Sequence, residues 1–226
     1  MILKPHLGAL GVGLVALSLF AGSSTSASRA ASPIREVLTI STQNLPAPDT
    51  YTIDRLHTFA SFGARHHVVG LVRGRFDKVE GTFTAAKDPA ACTLDVSIDA
   101  ASISTQVAER DADLRSPAYF DVKKFPTLTY QGRGIRPGPQ HTWIMEGVLT
   151  IHGVSKTVPL TFTYNGIMTP VVSGAPTRVA LHAAAAIKRA DFGLGARDNL
   201  DELGTLSSPD VQIEIDVEAD SKILAR

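Results

Sequence analysis

The sequence predicts an all-β protein: a single antiparallel barrel of about eight strands with a short helical segment on its rim. Three observations lead there. Apolar and polar residues alternate with period two through residues 93–100, 154–164, 178–188 and 211–219. That spacing puts one face of a strand in a core and the other in water. Glycines punctuate one long β-like run, residues 68–85, at Gly70, Gly74 and Gly81. Glycine weakens a strand unless the sheet bends or bulges there. Finally, helical patterning is confined to a brief stretch inside residues 109–126. A closed barrel has no open edge, and its interior can hold one ligand. An open two-sheet sandwich is the structural alternative.

The first segments precede that barrel. Lys4 comes before an apolar run, residues 7–21, and small residues follow from Gly22 to Ala27. This is the layout of a secretory signal peptide, expected over residues 1–27 with cleavage after Ala27 and, as second choice, after Ala30. The run is too short and too rich in Gly and Ala to read as a membrane span. Residues 28–49 are rich in Ser, Ala, Thr and Pro and read as a flexible linker. The barrel domain is expected over residues 50–220, in a periplasmic or secreted protein.

Tyr51, Thr52 and Ile53 make a short strand, and Asp54, Leu56 and His57 turn the chain into a second one over residues 59–66. In residues 93–100, Leu94, Val96 and Ile98 share one face, while Asp95, Ser97 and Asp99 share the wet one. The alternation then stops. Arg110, Asp111, Asp113 and Arg115 crowd opposite charges into a polar helical turn, which Pro117 ends. Tyr119, Phe120 and Phe125 follow, and Pro126 closes the segment. A connection both charged and aromatic reads as a lid or rim, or as a capped loop whose aromatics plug one end of the core.

Residues 127–132 return to strand, with Leu128 and Tyr130 on one side. Pro137, Gly138 and Pro139 mark a turn, and residues 142–151 and 154–164 form a hairpin across His152-Gly153. Pro159 has no donor for a ladder, so its amide position must face outward or fall at a bulge. Residues 168–175 read as a loop. In residues 178–188 the inward set is Val179, Leu181, Ala183, Ala185 and Ile187, and the alanines leave room inside. Residues 189–208 are irregular, with Phe192, Gly193, Gly195 and Gly204. The last strand sets Val211, Ile213, Ile215 and Val217 against Gln212, Glu214, Asp216 and Glu218.

Charge narrows the function. Lys and Arg total 22, as do Asp and Glu, so the chain as a whole has no electrostatic footprint for nucleic acid. Charged outer faces argue against a membrane-spanning barrel. Cys92 is the sole cysteine, so no internal disulfide forms, and it reads as a small buried side chain. Asp54, His57 and Ser61 contain triad residue types, but no nucleophile elbow is present. His66 and His67, adjacent on a strand, point to opposite faces and cannot close on one ion. No metal or cofactor motif occurs. A binding protein rather than an enzyme is expected, with no cofactor and no metal.

Five pieces of the chain, in order, resemble the YceI-like, polyisoprenoid-binding family of lipocalin-like barrels. They are Tyr51-Thr52-Ile53-Asp54 with His57, Phe62 and His66; Gly74 with Phe76; Arg110-Asp111-Ala112-Asp113-Leu114 with Phe120-Asp121 and Phe125-Pro126; Gly147 through Lys156; and Lys188 through Gly193. The family often has Trp where this chain has Tyr51, and two aromatics where it has Tyr119-Phe120. The resemblance implies a barrel with a long apolar pocket, one that sequesters or carries an isoprenoid, quinone or fatty-acyl ligand. The pocket candidates are Phe62, His66, Phe76, Arg110, Phe120, Tyr130, Phe162, Ala183 and Phe192. For Arg110 with Asp111, two roles stand: an ion pair that fixes the rim turn, or a polar gate near a head group. An enzyme acting on a lipid in the same pocket and a packed barrel that contacts proteins are the alternatives. A homodimer is left open.

Overall fold

The structure, a computed structural model, describes residues 45–66, 69–169, 175–195 and 208–224. The expected signal peptide, the expected linker up to residue 44, and His67 lie outside these residues. The alternating segments become ladders. In chain order they are β1 (Asp49–Ile53), β2 (Phe59–His66), β3 (Gly70–Phe76), β4 (Val79–Ala85), β5 (Thr93–Asp99), β6 (Ile103–Ser104), α1 (Ala108–Arg115), β7 (Thr127–Arg133), β8 (Arg136–Pro137), β9 (Trp143–Ile151), β10 (Val154–Met168), β11 (Pro176–Lys188) and β12 (Asp210–Leu224).

Eight of these close a ring in the order β1, β4, β5, β7, β9, β10, β11 and β12. The ring shuts where β12 pairs back onto β1, Ala219 opposite Ile53 and Ser221 opposite Tyr51. Every pairing is antiparallel, as the predicted barrel requires. β12 also carries β2 along Val211–Asp216, so β1 and β2 lie end to end on one neighbour. The break between them is held by buried Thr58. Its hydroxyl accepts from the Glu218 amide at 3.2 Å and donates to the Glu218 carbonyl at 3.3 Å. A second knot sits on the outside, where the Arg178 guanidinium spans Asp220 at 2.8 Å, Glu218 at 2.9 Å and Asp54 at 2.7 Å.

The long glycine-bearing run is two strands, β3 and β4, parted at Asp77 and Lys78. Gly81 has φ +156°, and a β-carbon there would strike the Asp95 carbonyl oxygen across the ladder. At Gly74 the missing side chain makes room for the Phe62 ring on the inner face. Pro159 sits opposite Glu146 on β9, while the ladder to β11 begins only at Thr161. Its missing donor therefore falls beside an unpaired stretch, one of the outcomes the sequence allowed.

The core is the inside of the barrel. Val158, Leu160 and Phe162 from β10 and Val179, Leu181 and Ala183 from β11 are buried, while Pro159 and Lys156 are exposed. Cys92 is fully buried, with the Ala86 amide donating to its Sγ at 3.4 Å. Leu45 and Pro46, within the stretch read as linker, lie against the barrel, and Tyr51 Oη donates to the Ala47 carbonyl at 2.8 Å.

Candidate ligand cavity

The inward side chains do not fill the barrel. They enclose a cavity of about 440 Å³. Small residues at mid-height create it: Ala60, Ala64, Ala183 and Ala185 all lie on its wall. The rest of the wall is almost wholly aliphatic and aromatic, including Phe62, Phe76, Phe83, Val96, Leu128, Leu160, Phe162, Ile213 and Ile215. At the far end Tyr130 is buried, and its hydroxyl lies 3.0 Å from both the Met145 and Val158 carbonyls, positioned to donate to either. Burial, with Glu146 nearby, pushes the Tyr130 phenol well above its ordinary value, so it stays a neutral donor.

Polar groups gather where β2 ends and α1 begins. Arg65, His66, Thr105, Arg110, Asp113, Tyr119 and Arg189 line that end. The rim segment roofs it from one side. Leu114, Tyr119 and Phe120 reach the cavity wall, and the Phe120 ring meets Phe76 edge-on at 5.6 Å. Phe76 in turn packs on Phe62 at 5.8 Å. Phe125 does something else: it packs edge-on against His152 at 4.6 Å, fastening the rim to the β9–β10 turn.

Of the nine pocket candidates, Phe62, His66, Phe76, Arg110, Phe120, Tyr130, Phe162 and Ala183 lie on the cavity wall. Phe192 is not on it. It is buried to 1 % in the short 3-10 turn after β11, where it packs into the core outside the cavity. In this irregular segment the sequence gives no strand alternation to set its direction. Arg65, Val72, Tyr119 and Arg189 are on the wall and were not among the candidates. Arg65 and Arg189 sit at strand ends and Tyr119 in the rim, where period-two alternation gives no direction, whereas Val72 lies within β3 opposite Ala64.

Arg110 and Asp111 do not pair directly. Thr105 stands between them: its amide and hydroxyl donate to Asp111 Oδ1 at 2.7 and 2.6 Å, while Arg110 Nε donates to the Thr105 hydroxyl oxygen at 2.7 Å. Adjacent helix residues diverge around the axis, which is why the direct pair fails. Arg110 also donates to the Thr105 carbonyl at 3.1 Å. The result is a guanidinium held in place at the cavity mouth. Arg115 fastens the other end of α1 by donating to the Ala101 and Ile103 carbonyls.

Burial raises the Asp111 pKa, but the two hydrogen bonds from Thr105, with Arg115 and Arg110 nearby, outweigh it and hold the carboxyl below its ordinary value of 3.8. A depressed carboxyl contributes stability that is complete above its unfolded value and lost as pH falls through the folded one. The rim is therefore expected to loosen in acid below about pH 3.8, and Asp111→Asn to remove that part of the acid dependence. Thermal unfolding of both proteins between about pH 6 and pH 3 checks it. Parallel acid limbs in the two proteins would rule out Asp111 as the tether.

Among the described residues, the triad types Asp54, His57 and Ser61 do not come together. His57 Nδ1 lies 2.9 Å from Asp54 Oδ2, but this pair is on the outside, and Ser61 is on β2 opposite Arg75 rather than beside it. Asp54, His57 and Glu218 have ligand atoms within 4.8 Å of one another. Arg178 already occupies both carboxylates, so the group acts as an ion-pair knot.

A closed eight-stranded barrel with an apolar cavity and a polar mouth at one end has the architecture of ligand-binding barrels. The comparisons agree on which one. The chain belongs to the YceI-like domain family, whose model matches residues 51–219. It is 33 % identical over 171 residues to the protein YceI of Salmonella newport, covering 74 % of this chain and 85 % of that one. It is 34 % identical over 120 residues to a UPF0312 protein of Pseudomonas syringae pv. syringae, covering 51 % of this chain. That match spans only 62 % of the Pseudomonas protein's length. Among solved structures, the YCEI protein of Campylobacter jejuni superposes with TM-score 0.59 at 27 % identity, over 70 % of this chain and 90 % of that one. A polyisoprenoid binding domain from Saccharophagus degradans shares the fold, with TM-score 0.58 at 19 % identity, over 76 % and 98 %.

Proposed function

We propose that this protein is a non-enzymatic carrier that sequesters one long apolar molecule of isoprenoid, quinone or fatty-acyl type inside the barrel. It works in the periplasm or outside the cell. The observation that carries this reading is the cavity: about 440 Å³ walled by aliphatic and aromatic side chains, with its Arg, His and Asp side chains gathered at the mouth. A long chain lies along the apolar wall with its head at the mouth beside Arg110. The function is burial, because each methylene removed from water contributes about 0.8 kcal/mol. The polyisoprenoid-binding neighbour of the same fold supports the ligand class, and the layout of residues 1–27 supports the address.

The test is mass spectrometry of the organic extract from protein purified without detergent. One molecule of a long-chain lipid per protein is expected. A protein that extracts empty, and that also fails to take up any added prenyl or acyl chain, would sink the carrier reading.

A further inference from the structure

The β2–β3 hairpin lies beside the cavity mouth and has an unusual charge. Residues 55–76 contain Arg55, Arg65, Arg73 and Arg75 and no Asp or Glu, in a chain whose charges cancel overall. Two of these arginines are neutralised, Arg55 by Glu80 at 3.3 Å and Arg75 by Asp77 at 2.6 Å. Arg65 and Arg73 have no carboxylate within ion-pair distance among the described residues. They share a face. Arg65 is opposite Leu71 and Arg73 is opposite Gly63, so the three share one register face; Leu71 and Arg73 are exposed on the outer side, and Arg65, near the end of β2, is exposed at the cavity mouth. Ala64 and Val72, one step along each strand, point into the cavity.

The same end exposes aliphatic side chains. Val69 is 87 % exposed and Leu71 44 % exposed. A valine left in water at a hairpin end, flanked by two unpaired arginines, is a poor surface for a free molecule. It matches an interfacial site, where apolar groups enter the headgroup boundary and basic groups meet anionic lipid. From this geometry we infer that Arg65, Val69, Leu71 and Arg73 form a docking surface for an anionic lipid bilayer, which sets the cavity mouth against the membrane.

The choice of a bilayer over an acidic protein rests on the proposed reading of the cavity. A long apolar ligand resides in membranes and scarcely dissolves in water. A mouth docked on the bilayer lets the chain slide from lipid to barrel without crossing water. The charge term matters at short range, because about 8 Å of physiological salt solution screens it.

The experiment is co-sedimentation with vesicles of phosphatidylcholine, with and without phosphatidylglycerol. The protein is expected to bind the vesicles that contain phosphatidylglycerol and to release them in high salt. Each basic residue near such a surface is worth about fivefold in partitioning. Arg73→Glu, off the cavity wall, is therefore expected to cut binding at least fivefold, and Val69→Ser to weaken it with no change of charge. Arg133→Glu, on β7 at the opposite end of the barrel, is the control and is expected to change it less than twofold. Thermal unfolding and titration with a fluorescent long-chain fatty acid accompany each variant. Vesicle binding lost with the fold and the titration intact supports the docking surface. A parent that takes up chains but ignores phosphatidylglycerol vesicles overturns it and favours an acidic protein partner. Equal losses in the Arg133 control also overturn it. A parent that binds vesicles yet takes up no chain leaves the docking surface standing and refutes the carrier reading alone.

Discussion

Ile213→Asp is expected to cost about 3 kcal/mol or more, while Gln212→Lys beside it costs about 0.5 kcal/mol or less. The two positions differ only in the side of β12 on which they lie. Ile213 stands opposite Ala185 on β11 and Phe62 on β2, and all three line the cavity. An aspartate there meets no donor from its cross-strand neighbours, so its charge is desolvated without compensation. Gln212 is exposed, opposite Ala186 and Gly63, and a lysine reaches solvent freely. Denaturant midpoints of the two variants against the parent measure the difference, with the slope watched for a change in the unfolded state. Similar losses from both would mean that the register of β12 against β2 and β11 is wrong.

The same alternation explains how much of the fold was legible in the sequence. A strand with one wet face declares its own direction, since a one-residue slip would exchange its apolar and polar sets. β5, β10, β11 and β12 are of this kind, and their inward residues are the ones read from the pattern. What local pattern does not carry is pairing between distant strands. That β12 closes on β1 at one end and carries β2 at the other depends on contacts about 160 residues apart, such as Thr58 with Glu218. Lengths suffered for the same reason. β10 and β12 run past their expected ends, to Met168 and Leu224, because a neighbour's ladder extends them where their own alternation fades.

For the site, the aromatics and alanines of the wall were legible because inward-facing and pocket-facing are the same property in a hollow barrel. The mouth was less so. Arg65 and Arg189 stand where strands end, and their direction is set by the turn that follows. Phe192 lies in a segment read as irregular, and a 3-10 turn places it in the core off the cavity wall, a direction that no local pattern gives. The Thr105 bridge between Arg110 and Asp111 links a residue before α1 to two within it. Charge spacing alone read the pair as a direct contact.

Ligand length, more than head group, is expected to decide affinity. Association and ordering cost about 4–15 kcal/mol before any net binding appears. A chain of about six buried carbons gains only about 5 kcal/mol gross at about 0.8 kcal/mol per methylene, so it should scarcely bind. Each further five-carbon unit contributes about 4 kcal/mol gross, and affinity should climb steeply until the cavity is full. Ala183 sets where that happens. It lies between Phe162 on β10 and Ile215 on β12, on the cavity wall, and is small enough to leave the middle of the barrel open. Ala183→Phe puts a ring into that space. Excluding about three methylenes costs about 2.4 kcal/mol, or about fiftyfold in Kd, for chains long enough to reach past it. Chains that stop short lose little. Arg110→Ala removes a guanidinium at the wet mouth, where an ion pair with a head group is worth about 0–1 kcal/mol, fivefold or less. Calorimetric titration of prenyl and acyl chains of increasing length against the parent and both variants separates the two effects. The expected pattern is a steep rise with length in the parent, an early plateau in Ala183→Phe, and a nearly parallel curve in Arg110→Ala. If affinity is flat with length, or if Arg110→Ala abolishes binding while Ala183→Phe leaves it intact, the head group rather than the buried chain is what this barrel recognises.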